Sequence, residues 1–149
     1  MTKLLPLLLA CAALPAAAPV PAPAGTLTIE VTGLHNAKGR VHIDLCDQRR
    51  FLGDNCPISL AVPARAPVTT LVLQGVPPGL YAAQLFHDEN MNDKADRGLF
   101  GLPKEGLAFS RDAPIKLSPP RWSDAVVEVR PGAQTIRVRM RYGLGALNL

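Results

Sequence analysis

Apolar and polar residues alternate one for one in several short runs of this chain, and no stretch makes a convincing amphipathic helix. Leu27, Ile29 and Val31 alternate with Thr26, Thr28, Glu30 and Thr32, and Val41, Ile43 and Leu45 alternate with His42, Asp44 and Cys46. Successive side chains of a strand point to opposite faces, so a period of two marks a strand with one face buried and the other wet. Asn36, Ala37, Lys38 and Gly39 supply turn residues between the two runs, which predicts a hairpin. His42 then points away from the core as a solvated strand histidine.

Further runs follow. Residues 58–62 form a short strand candidate ending at Pro63, and residues 68–73 are rich in β-branched types. Gly75, Val76, Pro77, Pro78 and Gly79 then make a turn. In 80–87, Tyr81, Ala83, Leu85 and His87 share one face and Ala82, Gln84 and Phe86 the other. Residues 125–129 and 135–140 read as the last two strands, joined by a turn over 130–133. In the last run Ile136, Val138 and Met140 alternate with Arg137, Arg139 and Arg141. This arginine stripe is either a solvated outer face or a contact for an anionic partner such as a lipid headgroup or polysaccharide.

Fifteen prolines and twelve glycines disfavour long helices, and 149 residues suit one ordinary domain. About seven strand candidates predict an all-β fold, a single antiparallel two-sheet sandwich over 25–149 with one long irregular loop. The Pro77-Pro78-Gly79-Leu80-Tyr81 turn resembles the Pro-Pro-Gly-x-Tyr turn of prealbumin-like and collagen-adhesin B-type sandwich domains, which implies a prealbumin-like or immunoglobulin-like arrangement.

Residues 1–24 have the form of a signal peptide. Lys3 is the positive start, 4–14 an apolar run broken by Pro6, and Ala22-Pro23-Ala24 a small-residue cleavage site before Gly25. The run is shorter than the ~20 apolar residues of a membrane span. The mature chain is then periplasmic or secreted, with no transmembrane span. Leu8-Leu9-Ala10-Cys11 supports the alternative of a lipoprotein anchored through Cys11. The exported part keeps Cys46 and Cys56, and in an oxidising compartment such a pair predicts a disulfide. Basic residues are scattered among acids, and the formal charge is only +4, so nucleic acid is not the expected partner.

The densest polar chemistry lies in 86–110. Asp88, Asn90 and Asn92 recur every second residue and Asp96 follows four later, a spacing that turns oxygens toward one point when the backbone wraps tightly. This resembles an EF-hand-like loop and implies calcium as the cofactor, with Asp88, Asn90, Asn92 and Asp96 as ligands. Asp93 stands where such loops carry glycine, Lys94 where a carbonyl is donated, and Leu99 where the bidentate acid belongs, with Glu105 a substitute from the next turn. The alternative is that the same residues cap turns through hydrogen bonds to backbone amides, without metal. Transition metals suit this set less well, because carboxamides ligate zinc and copper poorly and no second histidine is near His87 in sequence. His87, Asp88, Glu105 and Ser110 include the types needed for acid/base or nucleophilic work, yet no nucleophile elbow, HExxH or phosphate-cradling loop is present.

The run Phe86-His87-Asp88-Glu89-Asn90, then Asn92, Lys94, Asp96, Phe100-Gly101-Leu102-Pro103-Lys104-Glu105-Gly106 and Phe109-Ser110, with Pro120-Arg121-Trp122-Ser123-Asp124-Ala125 after it, resembles an exported bacterial family, domain of unknown function 2141. Asp93 departs from the glycine of that pattern. The resemblance spans the chain from Gly25 onward and implies compartment and fold, with no activity attached. The expected function is a non-enzymatic binding or structural module of the cell envelope with a calcium-stabilised loop at 88–96, supported by His87, Lys94, Glu105 and Ser110. The alternatives are a hydrolase or isomerase using His87, Asp88 and Glu105, and a carbohydrate-binding or adhesion domain with Tyr81, Phe100 and Trp122 as a platform.

Overall fold

The computed structural model describes residues 23–98, 103–116 and 118–143. Residues 1–22 of the expected leader, Cys11 among them, and Leu99 and Phe100 lie outside the described residues.

Eight strands are described: β1 Gly25–Thr32, β2 Arg40–Cys46, β3 Ile58–Pro63, β4 Val68–Val76, β5 Gly79–Asp88, β6 Gly106–Phe109, β7 Val127–Val129 and β8 Gly132–Arg139. A 3-10 turn over Ser110–Asp112 and a one-turn helix α1, Trp122–Ala125, complete the order. The strands form a two-sheet sandwich. One sheet runs β4-β1-β8; the other runs β3-β2-β5-β6, with β7 pairing the start of β5. Neighbours are antiparallel except β1 and β8, which run parallel from Gly25↔Gly132 to Thr32↔Arg139.

The hairpin expected between the first two runs does not form. β1 pairs with β4 and β8 and β2 with β3 and β5, so the segment 33–39 carries the chain from one sheet to the other. Alternation is a local property and says nothing about which strand supplies the partner hydrogen bonds. β6 was not foreseen either. Its four residues are too few to show a period, and it exists because Gln84 to His87 of β5 offer it a ladder.

The alternating apolar residues meet between the sheets. Leu27, Ile29 and Val31 of β1, Val41, Ile43 and Leu45 of β2, Leu71 and Leu73 of β4, Leu85 of β5 and Val138 of β8 are buried in one cluster. At roughly 1.5–3 kcal/mol for each such side chain removed from water, this cluster dominates the stability of the fold. A second, smaller cluster lies on the other side of the five-stranded sheet. There Ala82, Phe109, Ala113, Ile115 and Ala125 pack together, flanked by Phe51, Leu107 and Trp122.

The disulfide expected between Cys46 and Cys56 is present, tying the end of β2 to its following loop. On β8, Arg137 and Arg139 face solvent as the alternation requires, and Arg137 Nε lies 2.6 Å from Glu30 Oε2. Among the described residues, no helix is long and apolar enough to cross a membrane.

Candidate functional site

β5 ends at His87 and Asp88, alongside the start of β2: Arg40 lies opposite Asp88, Val41 opposite His87 and His42 opposite Phe86. Alternation therefore sends His87 into the sandwich and Asp88, Phe86 and His42 to the outer face. Both His87 and Asp88 are fully buried there, for different reasons.

His87 Nε2 lies 2.7 Å from the carbonyl oxygen of Lys38, and its Nδ1 lies 2.6 Å from the hydroxyl of Tyr142. A carbonyl only accepts, so Nε2 carries the proton and Nδ1 accepts from the Tyr142 hydroxyl. That hydroxyl also accepts the backbone N–H of His35 at 3.3 Å, while the His35 ring stacks on the phenol at 3.5 Å. Burial pushes the Tyr142 phenol up to about 12, and the nearby carboxylates of Glu89 and Glu105 act in the same direction. The ring reaches His87 past Gly106, where a Cβ would stand 2.6 Å from both Met140 Cγ and Tyr142 Cζ.

Asp88 is covered by the loop that follows it. Its Oδ1 accepts the N–H of Asn92 and its Oδ2 the N–H of Asp93, both at 3.0 Å. Asn90 Oδ1 accepts the N–H of Asn92 at 3.1 Å and Asn92 Oδ1 that of Lys94 at 2.9 Å. The two carboxamide nitrogens donate to Asp96, Asn90 Nδ2 to Oδ2 at 2.8 Å and Asn92 Nδ2 to Oδ1 at 3.0 Å. Buried Glu105 closes the base of the loop, taking the N–H of Glu89 on Oε1 and that of Asp96 on Oε2, each at 3.1 Å. Where no ladder runs, the backbone donors of Glu89, Asn92, Asp93, Lys94 and Asp96 are thus satisfied by side-chain oxygens. Met91 and Asp93 take left-handed conformations, with φ of 60° and 59°. Gly39 (φ +64°) lets β2 approach: a Cβ there would stand 1.9 Å from the Asp88 carbonyl oxygen.

The structure therefore brings Asp88, Asn90, Asn92, Asp96 and Glu105 into one network, with Lys94 joined to it through its backbone N–H. It does not bring the proposed catalytic residues together. His87 and Asp88 project to opposite faces of the sheet, and both Glu105 oxygens are engaged with the loop backbone. Ser110 is buried elsewhere, its Oγ donating to the carbonyl of Ala125 at 2.5 Å and accepting the N–H of Ala83 at 2.9 Å. Tyr81 packs against the central core and Trp122 against the outer cluster, so these two aromatics form no joint platform. A surface concavity of about 640 Å³ beside Asp47, Gln48, Arg49 and Arg50 lies past the other end of β2.

Two residues of the site escaped the sequence reading, His42 and Asp93. His42 is largely buried against Phe86, their rings stacked at 4.5 Å, and is not a freely solvated strand histidine. Its Nε2 lies 3.4 Å from Asp88 Oδ2 and 3.4 Å from Asp93 Oδ1, yet has no hydrogen-bond partner. Arg40 Nη1 stands 3.9 Å from the same Asp93 oxygen. The alternation around His42 hinted only at its face; its neighbours follow from the β2–β5 register and the fold of the loop.

A family model described as an uncharacterised protein conserved in bacteria (DUF2141) matches residues 29–137. No curated protein and no solved structure matches the chain.

Proposed function

The chain belongs to the uncharacterised bacterial family DUF2141, and on that premise we propose that it is an exported, non-catalytic β-sandwich module of the cell envelope, presenting the 88–110 segment as a rigid binding surface stiffened by calcium. The observation that carries this reading is the commitment of the polar groups. His87, Glu105 and Ser110 each spend their donors and acceptors on the fold, which supports a scaffold and weighs against a hydrolase or isomerase. Calcium is proposed at Asp88, Asn90, Asn92 and Asp96 because these oxygen-bearing side chains gather within one loop, where the ion would replace hydrogen bonds that their oxygens now accept, and hard oxygen donors suit that ion. The leader at 1–24 supports a periplasmic or secreted location, and Cys11 offers a lipid anchor as the variant of it.

Calorimetric titration of the chelator-treated chain with calcium, paired with melting curves, tests the metal. A ligand held only by the folded state must raise the melting temperature. Neither heat nor a shift in melting at millimolar calcium would remove the ion from this reading. Recovery of the chain from the periplasmic fraction with Gly25 at its N-terminus tests export; retention in the cytoplasm with residues 1–24 intact would overturn it.

A further inference from the structure

We infer that His42, Asp88 and Asp93 form a binding site for a divalent transition ion of the zinc class, which shares Asp88 with the proposed calcium loop and adds His42 and Asp93 as ligands of its own. One ligand atom from each of these residues lies within 4.8 Å of the other two. His42 Nε2 is 3.4 Å from each carboxylate oxygen. Two ligands of a tetrahedral zinc ion, each ~2.0–2.2 Å from the metal, stand about 3.4 Å apart, so both His42–carboxylate spacings are those of neighbouring ligands on one ion.

The chemistry of the nitrogen points the same way. His42 Nε2 is buried and without a hydrogen-bond partner, between two carboxylate oxygens. A lone pair on Nε2 turned toward two carboxylates is repelled, and a cation among the three atoms removes that repulsion. A proton on Nε2 points toward only one oxygen at a time, whereas a metal ion engages all three atoms at once. One imidazole and two carboxylates suit zinc or its first-row neighbours, while calcium takes oxygen alone. The three side chains leave a fourth position for water on the side of Asp93, whose side chain is 66% exposed. Arg40 reaches the same carboxylate from the surface at 3.9 Å and is the group a bound cation displaces.

Asp93 is what completes the site. Its φ of 59° is a conformation that glycine adopts without cost, and the aspartate placed there aims a carboxylate at His42. A glycine at this position keeps the loop and loses the ligand.

The test uses the untagged chain, freed of metal by chelation and titrated with Co²⁺ by visible absorption and with Zn²⁺ by calorimetry. Expected are one ion per chain, the intense visible bands of tetrahedral cobalt, and at least tenfold weaker Zn²⁺ binding in His42→Gln and in Asp93→Gly. Asp93→Gly favours the native loop backbone, so lost binding there does not reflect misfolding. Asp96→Asn, outside the site, is expected to leave Zn²⁺ binding unchanged even if it weakens calcium, and failure of calcium to bind leaves this inference standing. Absence of Zn²⁺ binding at 100 μM, or unaltered affinity in His42→Gln, would overturn it.

Discussion

Tyr142 donates its hydroxyl proton to Nδ1 of His87 at 2.6 Å, joining the segment that follows β8 to the last residues of β5. The bond sets the tautomer of a fully buried histidine whose other nitrogen is held by the Lys38 carbonyl. Tyr142→Phe keeps the ring and its stacking on His35 but leaves Nδ1 buried without a donor. The expected loss is about 1–3 kcal/mol, the usual cost of a stranded buried polar atom. Urea unfolding of the two proteins side by side measures it, and equal midpoints would contradict the assigned role.

The same phenol makes stability depend on alkaline pH. Burial raises its ionisation from an ordinary 10.0 to about 12, so the folded chain keeps a proton that the unfolded chain releases. By linkage, the contribution is complete below pH 10 and is lost as pH climbs from there toward 12. Ultraviolet titration of a Tyr81→Phe variant, which leaves Tyr142 as its one tyrosine, is expected to show the phenolate forming near 12. A midpoint at 10 would remove the burial effect.

Glu105→Gln places an amide nitrogen against one of the two N–H donors, Glu89 or Asp96, that the carboxylate now accepts. Charge-assisted bonds of this kind are worth roughly 1.5–3 kcal/mol, and the substitution is expected to lower stability by about that much. Hydrogen exchange offers the sharper readout. The amides of Glu89 and Asp96 should gain exchange well beyond that of Ile43 in β2, and a uniform change across the chain would argue against a local brace.

Gly39→Ala brings a Cβ onto the Asp88 carbonyl in a left-handed conformation. Left-handed strain of about 1–2 kcal/mol and overpacking of about 1–3 kcal/mol act together, so a loss of roughly 2–5 kcal/mol is expected. Because Asp88 is the residue displaced, any ion held by its carboxylate should weaken in the same variant. A variant as stable as the parent, with unaltered chemical shifts at Asp88, would contradict the close approach of Gly39 to the Asp88 carbonyl.

Reduction of the Cys46–Cys56 bond, which spans ten residues, is expected to cost about 3 kcal/mol by the loop-entropy model. Denaturant midpoints with and without dithiothreitol give the value, and an alkylating reagent should find no free thiol at either position before reduction. No change in midpoint would mean that the loop is already ordered in the unfolded chain.

What was legible in the residues was whatever depends on near neighbours. The alternation of Leu27, Ile29 and Val31 or of Val41, Ile43 and Leu45 placed strands and their buried faces correctly, because side-chain direction in a strand follows from position alone. The disulfide was readable from the two cysteines that lie beyond the expected leader, and the gathering of Asp88, Asn90, Asn92 and Asp96 in one loop from their closeness in sequence. The strand alternation that put His87 inward also placed adjacent Asp88 outward, which separates the two proposed catalytic groups.

What tertiary structure decided was pairing across distance. That β1 pairs in parallel with β8 and not with β2, that four residues at 106–109 become a strand, and that Tyr142 closes over His87 all depend on registers between segments far apart in sequence. His42 and Asp93 belong to this second group. Sequence marked one as a solvated strand residue and the other as a defect in a loop pattern, and only the β2–β5 register and a left-handed turn bring them 3.4 Å apart. Periodicity is set by the local backbone, while the meeting of side chains is set by which strands share hydrogen bonds, and that information is spread over the whole chain.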